Sequence, residues 1–231
     1  MNNHYRRLFA GVAATVAAAV CVFPLAAMAD AASRTPKPKP TIILEPGAFA
    51  DGCSWNRIIA GLRRDGYPLR GVASDAAAPH GLIAHIDGLV ILIGHSCGGS
   101  VISAAGTGNS KVKALVYVAA FLPEAGESVL GPSTEFPGST RPDALETVTG
   151  PDLYIRQDAF HGQFAADVPA RRAALMAASE RPVAQAVPGE KATASAWWET
   201  HVTEVAASHA VAVSPPGVVI GVIETGARAT R

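Results

Sequence analysis

The sequence Gly-His-Ser-Cys-Gly at residues 94–98 constrains the fold of this chain more than any other feature. It follows five consecutive apolar residues at 89–93, a run typical of a central parallel strand that is buried on both faces. A helix rich in small residues is predicted at 101–105. The motif therefore predicts a sharp strand-to-helix turn, in which glycines two residues before and two residues after Ser96 let the backbones pass closely.

Apolar runs on either side of this turn continue an alternation of strands and helices. Residues 41–44 and 112–120 are predicted strands, and residues 54–64 are a predicted helix that begins at Ser54. A further short strand is predicted at 201–205. This alternation favours an α/β fold, with helices layered on a mostly parallel central sheet.

Ser96 is the residue of this turn that can carry chemistry. A serine hydroxyl is a weak nucleophile until a base removes its proton, so it must stand where both an imidazole and a substrate can reach it. A strand-to-helix turn presents it in this way. The following helix directs backbone N–H groups toward the same point, so the amide of Cys97 is a candidate donor to a developing oxyanion.

The base for such a serine is expected C-terminal to it, because a serine at this kind of turn is followed along the chain first by an acid and then by a histidine. The chain has seven histidines. His161 lies in a polar stretch, and His201 begins the predicted strand at 201–205. His209 lies in a loop just past that strand, so it is the predicted base.

The N-terminal residues 1–29 are typical of an export signal. Arg6 and Arg7 precede the apolar run 8–22, and Ala-Met-Ala at 27–29 supplies a cleavage site of small residues. A membrane anchor is the alternative, but Pro24 interrupts a run that is already short for a span. The paired arginines leave both general and twin-arginine export open. We therefore predict an exported protein, periplasmic or secreted, without a stable membrane anchor.

Residues 30–40 form a Pro- and Lys-rich spacer, and the folded domain is predicted at 41–231. The 19 basic and 19 acidic residues give no net charge, which argues against a nucleic-acid partner. His and Cys residues show no zinc-ligand spacing, so neither a metal nor a cofactor is predicted. After removal of the signal, Cys53 and Cys97 remain and could pair if their Cα atoms came within about 7 Å. No sequence signal indicates an oligomeric state.

Six segments of the chain resemble the α/β-hydrolase superfamily, in particular its compact esterases related to plant salicylate esterases and hydroxynitrile lyases. The resemblance implies a three-layer fold in which Ser96 is the nucleophile, His209 is the base, and the amides of Ala48 and Cys97 form the oxyanion hole. It also implies a lid at 122–199 over an acyl pocket, with one helix after Asp167. The similar segments are 41–44, 47–55, 94–99, 112–124, 164–169 and 208–211.

The chain departs from this family pattern at three places. Pro46 stands where the family has a His before Gly47, and Glu45 precedes it. Residues 67–70 replace a whole strand, and the next helix contains Pro79 and Gly81. Residues 197–200 run directly into 201–205, which leaves no room for the strand, acid loop and helix that normally precede the catalytic histidine. The sheet is thus predicted to be truncated and its usual acid to be missing.

A replacement acid is available in the loop after the strand at 112–120. Glu124 leaves the end of this strand, and Glu127 follows three residues later. The leading hypothesis is an exported serine hydrolase that cleaves a small carboxylic ester through an acyl-enzyme. One alternative is a non-catalytic remnant of the fold that binds at most a small apolar ligand, with Glu124 as a solvated loop residue. Another is perhydrolase or lyase chemistry at the same residues.

Overall fold

The structure is a computed structural model that describes residues 37–72, 77–128, 131, 140, 142–148, 150–193 and 201–230. Contacts divide the chain into Met1–Lys37 and Pro38–Arg231, and the second unit is described below. The predicted export signal at 1–29, most of the spacer, and residues 197–200 lie outside the described residues. Among the residues that are described, no helix is long and apolar enough to cross a membrane.

Seven strands and six α-helices are described in this unit. The strands are β1 Thr41–Glu45, β2 Leu69–Gly71, β3 Val90–His95, β4 Val112–Val118, β5 Leu145–Thr147, β6 Asp152–Ile155 and β7 Val183–Ala184. The helices are α1 Asn56–Arg64, α2 Ala77–Ala84, α3 Gly98–Gly106, α4 Gln157–Phe164, α5 Ala170–Ala178 and α6 Pro216–Ala229. Short 3₁₀ helices lie at Gly52–Trp55, Pro142–Ala144 and Val187–Gly189.

The central sheet is parallel, with the strand order β2-β1-β3-β4. Ile42 pairs with Ile91, and Ile93 pairs with Val116, so the apolar runs lie side by side. All six residues of β3 are buried. The strands predicted at 41–44, 89–93 and 112–120 are therefore confirmed within one or two residues at each end, and so is the mostly parallel α/β sheet.

Helices cover both faces of this sheet, and alternation along the strands assigns each side chain to one face. Ile42 and Ile93 pack toward α1 and α6, whose buried residues belong to the same cluster. Ile43 and Leu92 pack toward α2 and α3. Each fully buried aliphatic side chain contributes about 1.5–3 kcal/mol, so this double-sided core is the main source of stability for the sheet.

Two elements before β3, the strand β2 and the helix α2, form although the sequence pattern argues against them. β2 is present but short, and Leu69 pairs with Ile42 of β1. Helix α2 forms although it contains Pro79 and Gly81, because Pro79 lies in the first helical turn, where its missing N–H removes no intrahelical bond. At the other end, Lys111 Nζ donates to the carbonyls of Ile83, Ala84 and Ile86 at 3.3, 3.2 and 2.8 Å.

Two smaller expectations need correction. The helix predicted to begin at Ser54 is preceded by a 3₁₀ turn whose N-cap is Asp51, because the Asp51 carboxylate accepts a hydrogen bond from the Cys53 N–H at 2.9 Å. The strand predicted at 201–205 is absent: these residues are exposed and form no strand, and the side chain of Val202 is 79% exposed. In the described part of the sheet, β4 is the last strand, so this segment has no neighbour with which to pair.

The insertion between β4 and α6 has more structure than its polar composition predicts. It contains the antiparallel sheet β5-β6-β7 and two helices, α4 and α5, of which only α5, the helix after Asp167, was expected. Phe160 and Phe164 of α4 are fully buried and stack at 5.0 Å between ring centroids. Their cluster, here called the lid cluster, also contains Ile155, Ala173, Ala210 and Val213.

Candidate active site

The turn at Ser96 joins the end of β3 to the start of α3, as the sequence predicts. Ser96 has a φ of 53°, in the left-handed region that a residue with a side chain seldom adopts. A Cβ at Gly94 would lie 2.5 Å from the Gly98 carbonyl oxygen, and a Cβ at Gly99 would lie 2.1 Å from the Phe121 carbonyl oxygen. Glycine is required at both positions because the chain folds back on itself so tightly.

Backbone hydrogen bonds hold the turn rigidly on the sheet. The Ser96 N–H donates to the Val118 carbonyl at 3.3 Å, while the Ser96 carbonyl accepts from Gly99 and Phe121 at 3.0 and 3.1 Å. Behind the turn, the Tyr117 hydroxyl contacts Ser103 Oγ at 2.9 Å, and burial raises the pKa of that tyrosine although this hydrogen bond opposes the shift. The strained φ of Ser96 is therefore over-determined by its surroundings, as expected for a preorganised nucleophile.

The loop after β1 lies directly against Ser96. A Cβ at Gly47 would be 2.6 Å from Ser96 Cβ and 2.9 Å from the His95 carbonyl oxygen. Ala48 follows Gly47, and the loop closes through a hydrogen bond from the Ala50 N–H to the Gly47 carbonyl at 3.4 Å. Ala48, one of the two predicted oxyanion-hole residues, thus follows the glycine that lies against Ser96, and the other, Cys97, follows Ser96 in the chain.

His209 lies in a turn that packs on the same end of the sheet. Its ring lies 4.7 Å from the ring of His95 and 5.1 Å from that of Phe164, measured between centroids. Its carbonyl oxygen accepts a hydrogen bond from His95 Nε2 at 2.8 Å. His209 Nε2 is buried from solvent. The structure therefore brings His209 to the residue that immediately precedes Ser96.

The two predicted replacement acids lie elsewhere. Glu124 and Glu127 are exposed, and the carboxylate of Glu127 accepts a hydrogen bond from the Glu124 N–H at 2.8 Å, which closes their own turn. An acid that orients a catalytic imidazole is normally buried against it. The structure gives no support to Glu124 or Glu127 in that role.

Two other carboxylates lie closer to the site. Glu45 is 4% exposed, and its Cγ lies 3.0 Å from the point where a Cβ at Gly98 would stand. It shares a sheet face with Ile43, whereas His95 projects from the opposite face. The adjacent N-terminus of α3 favours a negative charge there. Asp167 accepts a hydrogen bond from the hydroxyl of Ser208, the residue before His209.

Sequence reasoning missed the residues that hold the histidine turn. From the sequence, Phe164 and Asp167 are part of the family resemblance alone, and no role is predicted for His95. One sequence signal could have identified them: each is a polar or aromatic residue in a segment that carries the family resemblance, 94–99 or 164–169. Their contacts with 208–210 span 41 to 114 residues of sequence, which no local pattern reveals.

An apolar cavity of about 250 Å³ opens beside the turn. Phe121, which donates its N–H to the Ser96 carbonyl, is one of its lining residues. The others are Ala120, Leu122, Pro123 and Ser128. This volume lies below the range of about 300–1,000 Å³ that is usual for drug-sized ligands, so it fits a small apolar substituent.

The cysteines and metal-ligand types contribute no further site in the described part of the chain. Cys53 is exposed and Cys97 is partly buried, and both are free thiols, so the disulfide considered from the sequence is not formed. Among the described residues, His, Cys, Asp and Glu make no group of three that could hold a metal ion.

Comparison with solved structures identifies proteins of the same architecture. A pyrethroid hydrolase from Sphingobium faniae JZ-2 matches with a TM-score of 0.65 at 21% identity, over 82% of this chain and 98% of that chain. Tomato methylketone synthase I, in complex with 2-tridecanone, matches with a TM-score of 0.65 at 16% identity, over 84% and 99%. A polyneuridine aldehyde esterase mutant matches with a TM-score of 0.58 at 17% identity, over 67% and 74%.

No family model matches the sequence, and a search of curated proteins finds no significant match. At these levels of identity the structural matches establish architecture. The parallel sheet with helices on both faces, the turn at Ser96 and the insertion after β4 agree with that architecture. The chain therefore has the α/β-hydrolase fold, in a truncated form whose described parallel sheet has four strands.

Proposed function

We propose that this protein is a serine hydrolase that cleaves a small carboxylic ester through an acyl-enzyme. The observation that carries the proposal is the strained, glycine-flanked turn at Ser96 with the His209 turn packed against the preceding residue. Two of the structural neighbours are named as a hydrolase and an esterase, which supports ester hydrolysis in general.

In the first half of the reaction, His209 takes the hydroxyl proton of Ser96 as Oγ attacks the ester carbonyl carbon. The carbonyl oxygen becomes an oxyanion, which the backbone N–H groups of Ala48 and Cys97 stabilise. When the intermediate collapses, the bond to the alcohol oxygen breaks and His209 returns its proton to that oxygen. The alcohol leaves, and the acyl group remains on Ser96.

In the second half, His209 accepts a proton from water, and the resulting hydroxide adds to the acyl carbonyl. Collapse breaks the bond to Ser96 Oγ, which recovers its proton from His209, and the carboxylic acid is released. The cavity beside Phe121 would accept the small apolar part of the substrate. No cofactor is needed for these steps.

Slow turnover is part of the proposal. The exposed Glu124 and Glu127 leave the orienting acid unassigned, and loss of that acid alone lowers kcat by about 10⁴ in serine proteases.

The proposal further includes export through residues 1–29, which would place the enzyme in the periplasm or outside the cell. N-terminal sequencing of the exported form is expected to begin near residue 30.

The experiment that tests the function is covalent labelling of the purified chain with a fluorophosphonate, alongside hydrolysis of p-nitrophenyl acetate and butyrate. Ser96→Ala is expected to abolish both signals, while Ser110→Ala, which changes an exposed serine, leaves them unchanged. Mass spectrometry should place the label on Ser96.

The competing function is a non-catalytic fold that binds a small apolar ligand, and the exposure of Glu124 favours it. That alternative predicts a folded wild-type protein with no label on Ser96, and ligand binding that Ser96→Ala does not alter. Circular dichroism on the same samples separates this result from a failure to fold.

A further inference from the structure

We infer that His95 is a positioning residue for His209, acting through its Nε2–H, which fixes the peptide group that follows the base. The inference rests on the proposed function in one respect, since it takes His209 as the base. His95 occupies the first variable position of the Gly-x-Ser-x-Gly motif, and it takes part in none of the proton transfers of the proposed reaction.

The ring of His95 donates a hydrogen bond to the carbonyl oxygen of His209. A carbonyl oxygen only accepts hydrogen bonds, so the 2.8 Å contact between His95 Nε2 and the His209 carbonyl requires a proton on Nε2. The ring is 3% exposed and lies in edge contact with Trp55 and Phe164. The ring of His95 is thus held between two aromatic side chains, with its Nε2 proton directed at the His209 carbonyl.

The peptide group between His209 and Ala210 is hydrogen-bonded at both of its polar ends. Its carbonyl accepts from His95, and its N–H donates to the Phe164 carbonyl at 3.0 Å. Both polar ends of one peptide plane are therefore fixed by partners on different elements, β3 and the end of α4. A fixed peptide plane fixes the position of the His209 Cα, from which the ring projects.

The described residues lack the two usual supports of a catalytic histidine, a preceding strand and an orienting acid. In this chain residues 201–208 form no strand, so no ladder of sheet hydrogen bonds delivers His209 to the site. The acid that would hold the imidazole is also unassigned. Contact with His95 thus replaces part of both supports.

Two substitutions in the full chain separate the hydrogen bond from packing. His95→Phe keeps an aromatic ring against Trp55 and Phe164 but removes the donor. His95→Gln loses the ring but places an amide N–H close to the position of Nε2. A role in positioning predicts that His95→Phe lowers kcat and the labelling rate of Ser96 about 10- to 100-fold, with KM within about two-fold. It predicts that His95→Gln loses at most a few-fold.

The opposite ranking overturns the inference. If His95 serves only as packing, His95→Phe is well tolerated and His95→Gln is the damaged variant in both thermal stability and rate. An absence of labelling in the wild-type protein would count against the proposed function instead. The positioning role would then be decided by nuclear magnetic resonance, which needs no catalysis.

Nuclear magnetic resonance of protein labelled with ¹⁵N-histidine reads the positions without catalysis. The wild type is expected to show an Nε2 proton of His95 protected from exchange with solvent, which is lost in His95→Phe, and the His209 ring signals are expected to shift in that variant but not in His80→Phe, which changes an exposed histidine of α2. An unprotected Nε2 proton, or His209 signals unchanged by His95→Phe, refutes the inference whatever the enzymatic activity.

Discussion

Substitution of Gly47 by alanine tests whether the loop after β1 lies against the nucleophile. The added Cβ would stand 2.6 Å from Ser96 Cβ, whereas two carbon atoms in van der Waals contact are about 3.5 Å apart. Either the loop or Ser96 must therefore move by about 1 Å. The other near atoms are the His95 carbonyl oxygen at 2.9 Å and His95 Nδ1 at 3.0 Å, so no open direction is left on this side.

This displacement has a cost in rate and a cost in stability. A misplacement of about 1 Å lowers catalysis about 10²-fold, which corresponds to about 2.7 kcal/mol in the activation barrier. Overpacking of this kind costs about 1–3 kcal/mol of folding free energy. In a domain of this size, that loss lowers the thermal midpoint by about 2 to 12 °C.

The assay measures the rate of fluorophosphonate labelling and the thermal midpoint on the same samples. Gly52→Ala is the matched control, because it lies five residues further along and a Cβ there meets no atom within 4 Å. We expect Gly52→Ala to behave as the wild type in both measurements. If Gly47→Ala also does so, the loop does not contact Ser96, and the placement of Ala48 beside the oxyanion is wrong.

Three further substitutions test the supports of the site and the lid. Ser208→Ala removes the hydrogen bond to Asp167, so it should slow Ser96 labelling a few-fold with a change in unfolding free energy below about 1 kcal/mol; equal rates would argue against a role for that contact. Burial raises the pKa of Glu180 from 4.5 to about 7, so its ionisation destabilises the fold as pH rises from 4.5 through 7. Because this side chain is only half buried, Glu180→Gln should gain about 1 kcal/mol at most over the wild type, at pH 8 and not at pH 4, in pH-dependent melts. Lys111→Met removes three hydrogen bonds at the end of α2 and should lower the thermal midpoint by about 2 to 4 °C, whereas Lys113→Met, at an exposed position of β4, should not.

The central sheet and the turn at Ser96 are predictable because their signals are local. β1 and β3 contain short apolar runs, β4 has a run interrupted only by Lys113, and only glycine satisfies the close approaches at positions 94 and 99. Helix α6 was not predicted, although Val219, Ile223 and Ala227 follow one another at four-residue spacing and are buried. Its glycines and β-branched residues are poor helix formers, so tertiary packing against β4 decides its conformation.

Other errors have a common physical cause, which is that pairing partners are not encoded in a segment itself. Residues 201–205 have the composition of a strand, yet in the described structure the sheet has no strand beyond β4 to pair with them. Conversely, β5, β6 and β7 are two to four residues long and carry no run that predicts a strand, but they pair with one another. Strand formation in both cases follows the availability of a neighbour.

The placement of His209 extends this reasoning from structure to activity. Ala210 and Val213, in the same turn, belong to the lid cluster with Phe160 and Phe164, whereas Val211 and Ala212 belong to the core of the parallel sheet. The turn that carries His209 is therefore packed between the insertion and the sheet, while Ser96 lies at the end of β3. Any change that loosens the lid cluster should displace His209 and leave Ser96 in its turn.

This coupling connects the packing of the insertion with the position of the histidine turn. A cavity-forming substitution such as Phe160→Leu, in a fully buried side chain of the lid cluster, costs about 1–2 kcal/mol of local packing. If lid and sheet were independent, the rate of Ser96 labelling would not respond to it. Because Phe160 stacks on Phe164, and Phe164 holds both the His209 ring and the Ala210 N–H, the labelling rate should fall with lid stability while the strained φ of Ser96 persists.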